Sequence, residues 1–178
     1  TGTGDLAIAL ARRIRDVQVM GVDLSEEMLA VARRKVEARG LDSRIVLERG
    51  DAEHLEVADA SVDAATVAFG VRNFGDLAAG LRELARTIRP GGKVVILEFS
   101  RPRNRVFRAL YEFYSYKILP RIGGLVSRDK RAYEYLPASV GEFPAPAEFL
   151  GMMEKAGFRN CRAKSQSCGI AQIYIGER

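Results

Sequence analysis

The chain has 178 residues, 47% of them hydrophobic and 29% charged, a balance that supports one globular domain with its own core and excludes a disordered segment. No apolar run reaches the roughly 18 to 20 residues that span a bilayer. One histidine and two cysteines, Cys161 and Cys168, are too few for a disulfide framework and argue against a zinc or other metal site, so a reducing cytoplasm is expected.

Thr1-Gly2-Thr3-Gly4-Asp5 forms a glycine turn that opens a helical pattern over 5–15. A turn of this kind follows a strand, and none precedes it, so the sequence reads as lacking the first, central strand of its sheet, with exposed edges on that strand's neighbours. Residues 17–23 read as a strand ending in Asp23, Ser25 as the N-cap of a helix that closes at Gly40, and 44–48 as the next strand. A strand over 62–69, a helix over 77–88, a Pro90-Gly91-Gly92 turn and a strand over 93–99 follow. The order is β-α-β throughout, which implies an α/β fold with a mostly parallel sheet covered on both faces.

Residues 101–145 look like an insertion, both basic and aromatic. Arg101, Arg103, Arg105, Arg108, Lys117, Arg121, Arg128, Lys130 and Arg131 account for much of the net charge of +5, and Phe107, Tyr111, Phe113 and Tyr114 are interleaved among them. Such a stretch fits a solvated face, contact with anionic lipid headgroups, or nucleic acid. No nucleic-acid motif accompanies it, and nucleic acid is not expected as a partner. A helix over 146–156 and two β-rich runs, 158–164 and 169–176, joined by Ser165-Gln166-Ser167-Cys168, close the chain as an antiparallel hairpin. One domain covers 1–178, with a cofactor-binding half over 1–100, the insertion near substrate, and a closing helix and hairpin over 146–178. A homo-oligomer stays open.

The glycine turn also fits the dinucleotide fingerprint of NAD enzymes. A third acidic position, Gly50-Asp51-Ala52-Glu53 directly after a strand, separates the readings: an adenine amino group needs an acceptor there, and class I methyltransferases commonly place an Asp beside the adenine of S-adenosylmethionine. A sulfonium cofactor carries no pyrophosphate, so a glycine turn followed at once by Asp5 suits its cationic amino acid end better than a dianion. Gly2 and Gly4 allow close backbone approach, and Asp23 can accept hydrogen bonds from both ribose hydroxyls. Arg72 and Asn73 follow the 62–69 strand at the carboxyl edge where open α/β sheets bind ligands. Arg72 cannot act as a base, so its expected role is electrostatic, stabilising an anionic oxygen. A salt bridge at a helix start is the plainer alternative. His54 reads as a surface residue, and Cys161 and Cys168 as packing residues.

Phe69-Gly70-Val71-Arg72-Asn73-Phe74, Leu97-Glu98-Phe99-Ser100 and Tyr135-Leu136-Pro137-x-Ser139 together resemble the ubiquinone/menaquinone biosynthesis C-methyltransferases over nearly the whole chain. That resemblance implies a Rossmann-like class I fold, S-adenosylmethionine contacts at Thr3, Asp23 and the Asp51-Ala52 pair, and C-methylation of a prenylated quinol. Demethylmenaquinol is the expected acceptor, and a polyprenyl benzoquinol the alternative. The enzyme would be cytoplasmic, with peripheral contact at the inner face of the membrane. The chain departs from the family pattern in having Ala68 where some members have Ser, and Tyr174 where a histidine is often found. A methyltransferase for a soluble small molecule and a noncatalytic cofactor-binding scaffold are further readings.

Overall fold

The computed structural model describes residues 1–100 and 139–178. Helix α1 (Asp5–Arg13) buries Ala7, Ile8 and Ala11, the one-face spacing of an amphipathic helix, and carries Arg12 and Arg13 in its last turn, where cations suit the helix dipole. Strand β1 (Val19–Asp23) leads to α2 (Glu26–Glu37), whose N-cap Ser25 accepts from the Met28 amide at 3.3 Å. Strand β2 (Ile45–Arg49) pairs with β1 in parallel, Asp23 lying opposite Arg49. Strand β3 (Val62–Ala68) is followed by a single turn of 3-10 helix at Val71–Asn73. Helix α3 (Leu77–Thr87) then begins at Asp76, whose carboxylate accepts from the Ala79 amide at 2.9 Å.

Strand β4 (Ile88–Phe99) is longer than the sequence suggests. Ile88 was expected to end the preceding helix and residues 90–92 to turn, yet Ile88 already pairs with Val62 and the register shifts between Val62 and Ala64, so the Pro90-Gly91-Gly92 segment is a bulge inside a strand. Gly92 is required there, because a Cβ would lie 2.6 Å from the Asp63 carbonyl oxygen. Helix α4 (Pro146–Lys155) and strands β5 (Arg159–Gln166) and β6 (Ala171–Glu177) complete the described residues. The hairpin turn sits slightly later than expected, at Ser167, Cys168 and Gly169, all at positive φ.

Two sheets result. One holds β1 and β2, and the other runs β3-β4-β6-β5, with β3 and β4 parallel and β6 antiparallel to both β4 and β5. Among the described residues β1 and β3 each have one strand neighbour. The larger core lies on one face of the second sheet, where Val94, Ile96 and Tyr174 meet Leu81, Leu84, Phe149 and Met153 of α3 and α4. The smaller core joins Ala7, Ile8 and Ala11 of α1 to Val36 and Ile45. Among the described residues no helix is long and apolar enough to cross a membrane.

Candidate functional site

The glycine turn folds back onto the carboxyl end of β1. Gly2 and Gly4 have φ of 57° and 79°, a region costly for any residue with a Cβ. At Gly4 a Cβ would also press to 3.0 Å from that of Ala32, so glycine lets the turn lie on α2. Gly21 has the same function on the other side, since a Cβ there would meet the Thr1 hydroxyl at 2.7 Å and Leu47 at 2.8 Å.

Asp23 is the centre of this turn. Its Oδ2 accepts from the Gly2 amide at 2.6 Å, and its Oδ1 from the Ser25 amide at 3.0 Å. Partial burial pushes the carboxyl up, but those donors outweigh burial and hold it below the usual carboxylate range. The Gly50 amide donates to the Asp23 carbonyl at 3.1 Å, which sets Asp51 and Ala52 beside Asp23. Asp51 caps its own turn, with Oδ1 accepting from the Glu53 amide at 2.9 Å and its carbonyl from the His54 amide. His54 is exposed, as expected. Leu24 and Met28, which sequence reasoning passed over, are exposed apolar side chains flanking Asp23.

Thr3 and Asp5 face α2. The Asp5 carboxylate accepts from the Thr3 hydroxyl at 2.8 Å and pairs with Lys35 at 2.6 Å, and the hydrogen bond from Lys35 leads in lowering its pKa. Its negative charge is therefore already matched by this chain's own cation, and α1 has no side-chain cap.

The segments after β2 and β3 are tied together. The Glu53 carboxylate accepts from the Gly75 amide at 2.6 Å, and Glu83 of α3 from the Leu55 amide at 2.9 Å. Arg86 secures the same loop through the Leu55 and Val57 carbonyls and Asp59. The carboxyl ends of β1, β2 and β3 thus share one edge.

Arg72 stands at that edge in the turn after β3. Its Nη1 donates to Glu98 Oε1 at 2.7 Å and to the Phe69 carbonyl at 2.6 Å. Glu98 has no exposed surface, and the Arg72 side chain is 10% exposed. The plainer alternative for Arg72, a salt bridge at a helix start, is therefore what the geometry contains. Asn73 is exposed next to it. Sequence reasoning assigned no role to Glu98, although its position carried a signal: 94, 96 and 98 share the inward face of β4, and a charge at such a position needs a partner.

Cys161 packs against the larger core and burial pushes its thiol up, whereas Cys168 is exposed on the hairpin turn, so the packing expectation fails there because positive φ turns it outward. A cleft of about 480 Å³ opens between α4 and the hairpin, lined by Pro146, Leu150, Cys168 and Gln172. Among the described residues no group of His, Cys, Asp or Glu could hold a metal. Tyr135 and most of the basic insertion lie outside the described residues.

Solved structures share this fold at low sequence identity. A SAM-dependent methyltransferase from Aquifex aeolicus superposes with a TM-score of 0.72 at 20% identity, covering 100% of this chain and 79% of that one. The [4+2]-cyclase SpnF does so at 0.63 and 18%, covering 99% and 72%. Architecture alone therefore leaves the reaction open. Sequence relatives are more specific. The ubiquinone/menaquinone biosynthesis C-methyltransferase of Geobacter sulfurreducens is 46% identical over 179 residues, covering 100% of this chain and 70% of that protein. The demethylmenaquinone methyltransferase of Thermus thermophilus is 46% identical over 178 residues, covering 100% and 80%. A family model matches residues 1–178 from end to end, and the chain belongs to the ubiE/COQ5 methyltransferase family.

Proposed function

We propose that this chain transfers a methyl group from S-adenosylmethionine to a ring carbon of a prenylated quinol, demethylmenaquinol being the acceptor. The observation that carries the cofactor half is Asp23: an acceptor-only carboxylate at a strand end, held by the glycine turn and flanked by exposed Leu24 and Met28. A nucleoside matches that set, with ribose hydroxyls to donate and a purine face to cover apolar side chains. Asp51 lies beside it as acceptor for the adenine amino group, Ala52 follows it, and Gly2, Thr3 and Gly4 line the amino acid end. The acceptor half is supported by the quinone-pathway names of relatives with 46% identity.

The bound cofactor supplies an electrophilic methyl on a sulfonium. The residues of the chain have to align the acceptor carbon with it, which is chiefly a matter of positioning. Ionising a quinol hydroxyl places electron density on the ortho carbon, and the Arg72 guanidinium with Asn73 beside it holds that oxygen. Methyl transfer would leave S-adenosylhomocysteine as the carbon–methyl bond replaces the sulfur–methyl bond, and the ring proton would pass to solvent water as aromaticity is restored. The 1–100 half carries the cofactor contacts. Acceptor recognition is assigned to the basic, aromatic 101–145 segment, and the enzyme meets the acceptor from the cytoplasmic side at the membrane surface.

The test is calorimetric titration with S-adenosylhomocysteine beside NAD, together with turnover of demethylmenaquinol by the full-length enzyme read by mass spectrometry. Asp23→Ala should weaken S-adenosylhomocysteine at least tenfold, in line with roughly 1.5 to 3 kcal/mol for hydrogen bonds to a charged group. Binding of NAD in its place, or absence of a methylated quinol, would overturn the reading.

A further inference from the structure

Glu98 is an expensive residue where it stands. It lies on β4 with no exposed surface, on the face that Val94 and Ile96 give to the core. A buried ion pair is at best a weak source of stability compared with well-packed hydrophobic residues of similar volume. The pair does, however, fix geometry. Glu98 Oε1 accepts from Arg72 Nη1 at 2.7 Å and from the Phe99 amide at 2.8 Å, and Oε2 accepts from the Arg72 amide at 3.3 Å. The guanidinium also donates to the Phe69 carbonyl and sits 5.5 Å from the centre of the Phe99 ring, which stacks on Phe69 at 4.4 Å.

Two buried polar atoms beside this pair have no partner among the described residues. They are Arg72 Nε and the Tyr174 hydroxyl. Ile96 lies opposite Tyr174 and Glu98 opposite Gln172, so the Tyr174 ring shares the sheet face of Glu98. Burial pushes the Tyr174 hydroxyl up to about 12, with the Glu98 charge adding to the effect. An arginine clamped by Glu98 and the Phe69 carbonyl, with one N–H unmatched among the described residues, is held in one orientation by the pair.

Resting on the quinol reading above, we infer that Glu98 is a positioning residue: it locks the Arg72 guanidinium at the carboxyl edge of β3 in the orientation in which this cation meets the phenolate-type oxygen of the methyl acceptor. Glu98 also offsets the Arg72 charge. Orientation, more than net charge, is then what Arg72 provides, and removing the Glu98 charge should separate the two.

The experiment is Glu98→Gln in the full-length enzyme. Without the carboxylate the guanidinium is uncompensated and less well held. An anionic acceptor is then drawn more strongly but aligned less well, so kcat should fall at least tenfold and KM for the quinol should fall at least twofold. S-adenosylhomocysteine affinity should be unchanged. An unchanged kcat, or a lower kcat with KM unchanged or raised, overturns the assignment, because a purely structural loss only reduces the active fraction or loosens binding. A second measurement does not depend on turnover or on the variant folding. In the parent enzyme the Arg72 Nε–H should give a separate nitrogen–proton resonance protected from solvent exchange, and a resonance exchanging like those of exposed arginines overturns the inference. If that resonance is protected while demethylmenaquinol is not methylated, the substrate reading fails and the positioning stands.

Discussion

Asp23 gains its low pKa from hydrogen bonds that exist only in the folded chain, so it links stability to pH. A carboxyl lowered on folding contributes fully above its unfolded value of about 3.9 and loses that contribution as pH falls through the folded value. Asp23→Asn should therefore lower Tm by a constant amount between about pH 5 and 7, and the gap should close below about pH 4. Thermal melts across that range check it, and a gap that widens in acid would contradict the hydrogen bonding described. Tyr174 gives a second residue-level expectation. Its hydroxyl is buried with no partner among the described residues, so Tyr174→Phe should raise Tm by a few degrees, since an unsatisfied buried group costs about 1 to 3 kcal/mol. The position of Asp23 at the end of β1, against the glycine turn, was readable from the sequence because it ends an apolar run one strand after that turn. Glu98 was not, because its role depends on Arg72, twenty-six positions away and joined to it only by sheet pairing.

At the level of elements, Gly4 joins the glycine turn to α2, and Gly4→Ala tests that junction. A left-handed φ with a Cβ costs about 1 to 2 kcal/mol, before the contact with Ala32 is counted. A fall in Tm of about 2 to 8 °C and weaker S-adenosylhomocysteine binding are expected. In the larger core Phe149 has no exposure and packs on Tyr174 at 4.6 Å between ring centres, so Phe149→Ala should cost about 3 to 5 kcal/mol, measured by chemical denaturation. Element order was readable because apolar periodicity switches cleanly between helix and strand, and Ser25 and the glycine turn mark where helices start. Misreadings arose where tertiary pairing overrides local signals. Pro90-Gly91-Gly92 looks like a turn in isolation, yet the partner strand β3 carries it as a bulge. Ser167 and Cys168 have no sequence mark for the positive φ that they adopt, so the hairpin turn was placed too early.

At the level of the whole molecule, the net charge of +5 favours anionic surfaces. The full-length enzyme should bind vesicles containing anionic lipid at low salt and release them as ionic strength rises through about 0.15 M, while neutral vesicles should bind little at any salt. Sedimentation with vesicles of the two compositions measures it, and equal binding to both would show that charge is not what brings the protein to lipid. Sheet order has a consequence for synthesis as well. The second edge of β4 is covered by β6, which begins at Ala171, 72 positions beyond Phe99. The Arg178 guanidinium then reaches back to the Arg86 carbonyl at 3.0 Å, and its backbone bonds Gly91 and Gly92. At roughly 5 to 20 residues per second, a ribosome leaves β4 waiting about 4 to 14 s with Val94 and Ile96 uncovered. The nascent chain therefore passes through an interval in which β4 is complete and unpaired on one side, and the emergence of β6 ends it.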